Sequence, residues 1–180
     1  MKRKIEEIIE IPEEIEVEIK DREVNFKKED KKISVKNLGG GEIKKEDNKI
    51  IVYNEKATKK EKKLIKSFVA HIIKAIKGLQ KNYVYQLKVC FVHFPISIEL
   101  KGNELVIKNF LGEKIPRKAK ILEGVDVKIE KDIITVASYD KEKAGQTAAN
   151  IESATRIKNR DRRVFQDGIF VIKKEKGKSK

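Results

Sequence analysis

Of the seven arginines in this chain, four stand in the segment Arg156-Ile157-Lys158-Asn159-Arg160-Asp161-Arg162-Arg163. A guanidinium presents a planar fork of donors that matches phosphate oxygens, whereas a lysine ammonium is a flexible point charge. Elsewhere the positive charge comes almost entirely from lysine, and only Asp161 is at hand to neutralise the cluster. The spacing points to phosphate binding. A second basic run, Gly112-Glu113-Lys114-Ile115-Pro116-Arg117-Lys118-Ala119-Lys120, reads as a projecting insertion. There Lys114, Arg117, Lys118 and Lys120 are either further phosphate contacts or solvated charges. The tail 173–180, which opens with Lys173 and Lys174, is too polar to fold alone and reads as a flexible basic arm that orders on RNA.

Residues that could carry catalysis are sparse. Cys90 and His93 lie three apart, a spacing that suggests a nucleophile and its base. Read as one strand, however, they face opposite sides with no third orienting group, and Cys90 serves as a small hydrophobe. His71 reads as an ordinary helix-flank residue. A single cysteine excludes an internal disulfide, and with two histidines it leaves no zinc-ligand spacing. No Gly-Lys-Ser or Gly-Lys-Thr follows Gly39-Gly40-Gly41, so that run is a strand connection and not a phosphate loop. Paired acids such as Glu13-Glu14 sit in charge-alternating, solvent-facing text. No catalytic residue, metal or cofactor is expected. An RNA-processing enzyme, the rival reading, would need one of these.

The formal charge of +14 is unevenly spread, since residues 156–180 hold ten basic and three acidic side chains. Such a field gathers polyanions, either nucleic acid or an anionic membrane surface. No apolar run reaches the ~20 residues that span a bilayer. A cytosolic protein without a membrane partner is expected. Helix-turn-helix, zinc-finger and basic-zipper patterns are missing, as is an exposed aromatic stacking platform, which argues against DNA and single strands. Contact with the backbone and shape of structured RNA remains. A free-standing adaptor for anionic surfaces is the second rival.

The elements that must position these residues come twice. Ile15, Val17 and Ile19, then Val24 and Phe26, alternate with polar residues as half-buried antiparallel strands. Ile33-Ser34-Val35 and Ile50-Ile51-Val52 extend the sheet. Thr58-Lys59-Lys60-Glu61 is a capping box that opens an amphipathic helix with Leu64, Ile65, Phe68, Val69, Ile72, Ile73 and Ile76 inward and Gly78 as its stop. In the second half, Val35-Lys36-Asn37-Leu38 is echoed by Ile107-Lys108-Asn109-Phe110, and Ile50-Ile51-Val52 by Ile133-Ile134-Thr135-Val136. A helix again follows, with the narrow face Ala144, Thr147, Ala148, Ile151, Ala154 and Thr155. The predicted fold is α+β: two similar domains from a duplication, residues 1–80 and 81–172, with about a dozen residues inserted around 113–124. A strand from Phe165 to Ile172 anchors the arginines.

Specific strings then match a known family. His93-Phe94-Pro95-Ile96, Asn109-Phe110-Leu111-Gly112-Glu113-Lys114, Gly145-Gln146-Thr147-Ala148-Ala149-Asn150-Ile151-Glu152 and Arg156 through Ile169 together resemble the archaeal and eukaryotic branch of the universal large-subunit ribosomal protein six family. The match is dense over 93–170 and thinner before it, where Asn37-Leu38-Gly39-Gly40-Gly41 replaces the family's Gly-Pro-x-Gly turn. The resemblance implies two α+β domains and a non-catalytic role in the large ribosomal subunit. It also implies binding to large-subunit rRNA, chiefly by the second domain, beside neighbouring ribosomal proteins and near the translation-factor docking region. Carried over by position, the RNA-facing residues are Lys158, Arg160, Arg162 and Arg163, joined by Lys114, Arg117 and Lys118. Arg156, Lys120, Lys173 and Lys174 complete the basic set.

Overall fold

In the computed structural model the described residues are 3–39, 41–161 and 163–175. The chain divides into two units, Met1–Lys81 and Asn82–Lys180. In the first, β1 (Arg3–Glu10), β2 (Glu16–Lys20), β3 (Glu23–Lys28), β4 (Lys31–Lys36), β5 (Glu42–Glu46) and β6 (Lys49–Ala57) precede α1 (Lys59–Gln80). They form two antiparallel sheets, β1-β6-β5 and β2-β3-β4. Period-two patterning decides which face is covered: Val17, Val24, Phe26, Ile50 and Val52 are buried, while Glu16 and Glu18 point to water. The capping box forms, with the Glu61 N–H donating to Thr58 Oγ1 and the Thr58 N–H donating to Glu61 Oε2. Gly78 is not the stop expected for α1. The buried stripe Ile65, Phe68, Ile72, Ala75, Ile76 runs on to Leu79, so continued burial carries the helix through Gly78 to Gln80.

The second unit comprises β7 (Tyr83–Cys90), β8 (Ser97–Lys101), β9 (Glu104–Lys108), β10 (Arg117–Lys120), β11 (Asp126–Glu130), β12 (Ile133–Ser138), α2 (Lys141–Ala154) and β13 (Gly168–Glu175). Its sheets are β11-β12-β7-β13 and β10-β9-β8. Leu87, Val89, Leu105, Ile107, Phe110, Ile134, Ala148, Ile151 and Ile169 make the core beneath α2. The narrow face of that helix is buried as its small residues require, with Ala144, Thr147, Ala148 and Ile151 at 1% exposure or less.

The element order repeats, but three expectations change. First, Val35-Lys36 lies in β4 whereas Ile107-Lys108 lies in β9, and by order β9 is the counterpart of β3. That string match was out of structural register, because short strand sequences share a period whatever their place. Second, the extra chain of the second unit is the connection 109–116 between β9 and β10, where β3 and β4 are joined by residues 29–30 alone. Arg117, Lys118 and Lys120 are therefore on a paired strand and not on a projecting loop, with Arg117 opposite Ile107. Third, the final strand starts at Gly168 and not Phe165, and it runs past 172 to Glu175. Lys173 and Lys174 pair with Gln86 and Tyr85 of β7 beyond a register shift at Val171, so hydrogen bonding to a neighbour orders residues whose polarity alone would not. The remaining tail, 176–180, lies outside the described residues.

Candidate nucleic-acid interface

The segment that follows α2 is held at both ends. Thr155, buried at the helix C-cap, donates from Oγ1 to the Glu152 carbonyl (3.1 Å) and accepts the Ile169 N–H at Oγ1 (2.9 Å). One hydroxyl thus links the end of α2 to the start of β13. Between these points Asp161 builds a turn, since its backbone carbonyl accepts from the Val164 and Phe165 N–H groups and its Oδ1 accepts the Arg163 N–H at 2.9 Å. Arg163 Nη2 also reaches Asp161 Oδ2 at 2.8 Å, yet the Arg163 side chain stays 91% exposed. The pair holds the Asp161 carboxyl below its ordinary range and pushes the Arg163 guanidinium up. Such an exposed pair is weak, so a phosphate can compete for the guanidinium. Arg160 lies over the Phe165 ring, 4.8 Å from guanidinium carbon to centroid, while Arg156 and Lys158 face solvent. Arg162 lies outside the described residues.

Arg117 is turned inward. Its Nη1 donates to the carbonyls of Ala154 (2.9 Å) and Arg156 (3.2 Å), its Nε and Nη2 grip Glu113 at 2.8 and 2.6 Å, and its guanidinium covers the Phe110 ring at 4.3 Å. A cation against the carbonyls that end a helix satisfies orphan acceptors and complements the helix dipole. Glu113 is held below its ordinary value, first by the Arg117 hydrogen bond and further by the charges of Arg117 and Arg160. Arg117, expected to meet phosphate, here directs its donors into the protein, as a bracket that joins the 109–116 connection to the root of the arginine segment.

A third loop, residues 91–96, meets the same place. The fully buried Asp167 accepts the Val92 N–H at Oδ1 (2.9 Å), and its Oδ2 lies 3.8 Å from His93 Nδ1 without a hydrogen bond. The His93 ring stands against Phe165 with 5.8 Å between centroids. Asn109 Nδ2 donates to the Pro95 carbonyl (3.0 Å), and the Phe94 ring rests on Gly112, whose φ of +76° is a backbone conformation that favours glycine. Cys90 and His93 are therefore not on one strand, because β7 ends at Cys90 and the chain turns away. His93 serves the loop instead.

Three strings far apart in sequence, around 93, 112 and 160, are thus brought together with Arg156, Lys158, Arg160, Arg163 and Lys114 exposed around them. Lys118 is paired with Glu104 at 3.0 Å, and Lys120 is exposed on the same strand. Lys174 lies about 20 Å along β13 from Gly168, given ~3.3 Å per strand residue, so Lys173 and Lys174 form a separate basic point. The sequence alone does not reveal the roles of Thr155 and Asp167, and Phe165, expected to anchor the arginines from a strand, does so from the turn before β13 with its ring against Arg160 and His93. Buried Thr and Asp inside basic, polar text offered only a faint signal.

Among the described residues no cluster of His, Cys, Asp or Glu could hold a metal, and no helix is long and apolar enough to cross a membrane. A family model described as Ribosomal protein L6 matches residues 94–168, a span that begins within the first of the converging strings and covers the regions around 112 and 160. Curated relatives extend the likeness over most of the chain. Large ribosomal subunit protein uL6 of Methanococcus vannielii is 42% identical over 172 residues, 94% of each chain. Its namesake in Sulfurisphaera tokodaii is 44% identical, over 94% of this chain and 92% of that one. The Archaeoglobus fulgidus protein of that name is 48% identical over 71% of this chain and 65% of its own. With such identity along nearly its whole length, the chain belongs to the ribosomal protein L6 family.

Proposed function

We propose that this chain is a structural, non-catalytic component of the large ribosomal subunit in the cytoplasm, and that its second unit binds large-subunit rRNA. The observation that carries this reading is the arginine segment itself. Exposed Arg156, Lys158, Arg160 and Arg163 ride on a stretch pinned at Thr155 and Asp167, so their charges are presented without the full ordering cost of a loose arm. Arg162 shares the segment, and Lys114 and Lys120 flank it. Lys118, Lys173 and Lys174 add charge to the same unit, while Arg117 acts as the bracket. Each phosphate neutralised releases counterions, so the surface favours folded RNA and holds it less firmly as salt rises. Neighbouring large-subunit proteins are further partners, and the family resemblance supports a position near the translation-factor docking region.

Sedimentation of cell extract tests the assignment: the chain should travel in stoichiometric amount with the large subunit. Recovery at the top of the gradient would contradict it. Equal affinity for heparin, anionic vesicles and rRNA would favour the free-standing adaptor instead.

A further inference from the structure

Within the second unit, a groove of about 660 Å³ opens beside the arginine segment, a size typical of small-ligand sites. Its lining is unusual for a surface that gathers phosphates. Arg156 stands there together with the Phe165 and Phe170 rings, the Gln166 amide and two acidic residues, Glu152 and the fully buried Asp167. Carboxylates repel phosphate, so their presence among arginines calls for a ligand that carries hydrogen-bond donors as well as negative charge. Asp167 Oδ2 is buried, accepts no hydrogen bond and faces His93 Nδ1 at 3.8 Å, so Asp167 lends the groove negative potential while the exposed Glu152 is the carboxylate that a ligand's donors can reach. Glu152 uses one oxygen to accept the Val171 N–H (3.3 Å). Gly168 explains how the aromatic wall is made: a Cβ there would sit 3.0 Å from the Phe170 ring, so the missing side chain lets that ring fold back over the strand.

We infer that this groove receives one unstacked nucleotide of the bound RNA, with guanine as the preferred base. An aromatic wall suits any base face, since stacking needs only a π-surface. Selection comes from the edge. Guanine offers the N1–H and the N2 amino group side by side, which is the donor pair that carboxylate acceptors require, while uracil offers one donor between two acceptors. Arg156 at the rim neutralises the phosphate of the extruded nucleotide. Proteins read RNA in this way where bulges or loops let a base leave the stack. The inference rests on the rRNA-binding reading above, because the groove is reached from the same face.

The test uses the full-length protein and a short RNA duplex, unbulged or carrying a single bulged G, A, C or U. The bulged-G duplex should bind about tenfold more tightly than the unbulged one, and the bulged-U duplex should gain much less. Phe170→Leu should shrink the advantage for every bulge, and Glu152→Gln should remove the preference for G while leaving the unbulged affinity unchanged. Equal affinity for all five duplexes, or a G preference untouched by these variants, would overturn the groove assignment while leaving the interface intact. Failure of the unbulged duplex and of rRNA to bind in a salt-dependent way would instead overturn the interface reading.

Discussion

The two units run through the same order of six strands and a helix, yet they treat charge differently. In the first, α1 carries Lys63, Lys66 and Lys77 on a regular helical face, with Glu61 in its first turn. Such side chains are long, mobile and well solvated. In the second, a longer β9–β10 connection and the added strand β13 enclose an arginine-bearing segment between Arg117, Thr155 and Asp167. Under the proposed function, the difference teaches that charge density alone does not make a binding surface. What separates the units is the scaffolding that holds the cations in place.

Removing the cations should sharpen that contrast most. Replacing Arg156, Arg160 and Arg163 by Ala should weaken rRNA binding by more than about 100-fold at low salt, taking ~1–1.5 kcal/mol per charge-assisted contact. Replacing Lys63, Lys66 and Lys77 by Ala should change it by less than about twofold, as filter binding would show. An equal loss from both triples would erase the distinction between the units.

Removing the bracket comes next. Arg117→Ala strips the end of α2 of its cation, frees Glu113 and bares Phe110, and should cost about 2–3 kcal/mol of stability in urea unfolding. Lysine should not rescue it, since an ammonium cannot fork between Glu113 and two carbonyls. Thr155→Val keeps the volume and leaves the buried Ile169 N–H unpaired, at a cost of about 1–3 kcal/mol. Thr58→Ala, in the first unit, removes only the α1 cap and should cost about 1 kcal/mol without changing RNA affinity.

The smallest effect is that of acid. Glu113 has its folded pKa depressed by Arg117, so its contribution to stability is present above the ordinary carboxylate range and is lost as pH falls through the lower folded value. The stability gap between wild type and Glu113→Gln should therefore hold steady at neutral pH and close in acid. A gap that widened in acid would mean that Glu113 stabilises by some route other than this pair.

Much of this was legible in the sequence because local patterns act locally. Alternation set the strands, the Thr58 box set the start of α1, and the small residues of α2 set its close packing. The arginine cluster also stood out by type alone. What could not be read was the pairing between distant segments. Arg117 looked like any other basic residue until its carbonyl partners, some forty positions away, came within reach. In sequence His93 stands beside Cys90, but in the fold its neighbours are Phe165 and Asp167. The β3–β4 turn and the 109–116 connection occupy equivalent places, but only strand pairing reveals that.

The central claim is that the pinned arginine segment, and not the general basicity of the chain, neutralises rRNA phosphates. Its most direct test is the dependence of rRNA affinity on salt for wild type and for the variant lacking Arg156, Arg160 and Arg163. On duplex-like RNA the log–log slope should become shallower by about 0.9 per lost contact, or ~2.7 in all. A variant that binds more weakly with an unchanged slope would contradict the account, because the arginines would then be shaping the fold and not meeting the phosphates.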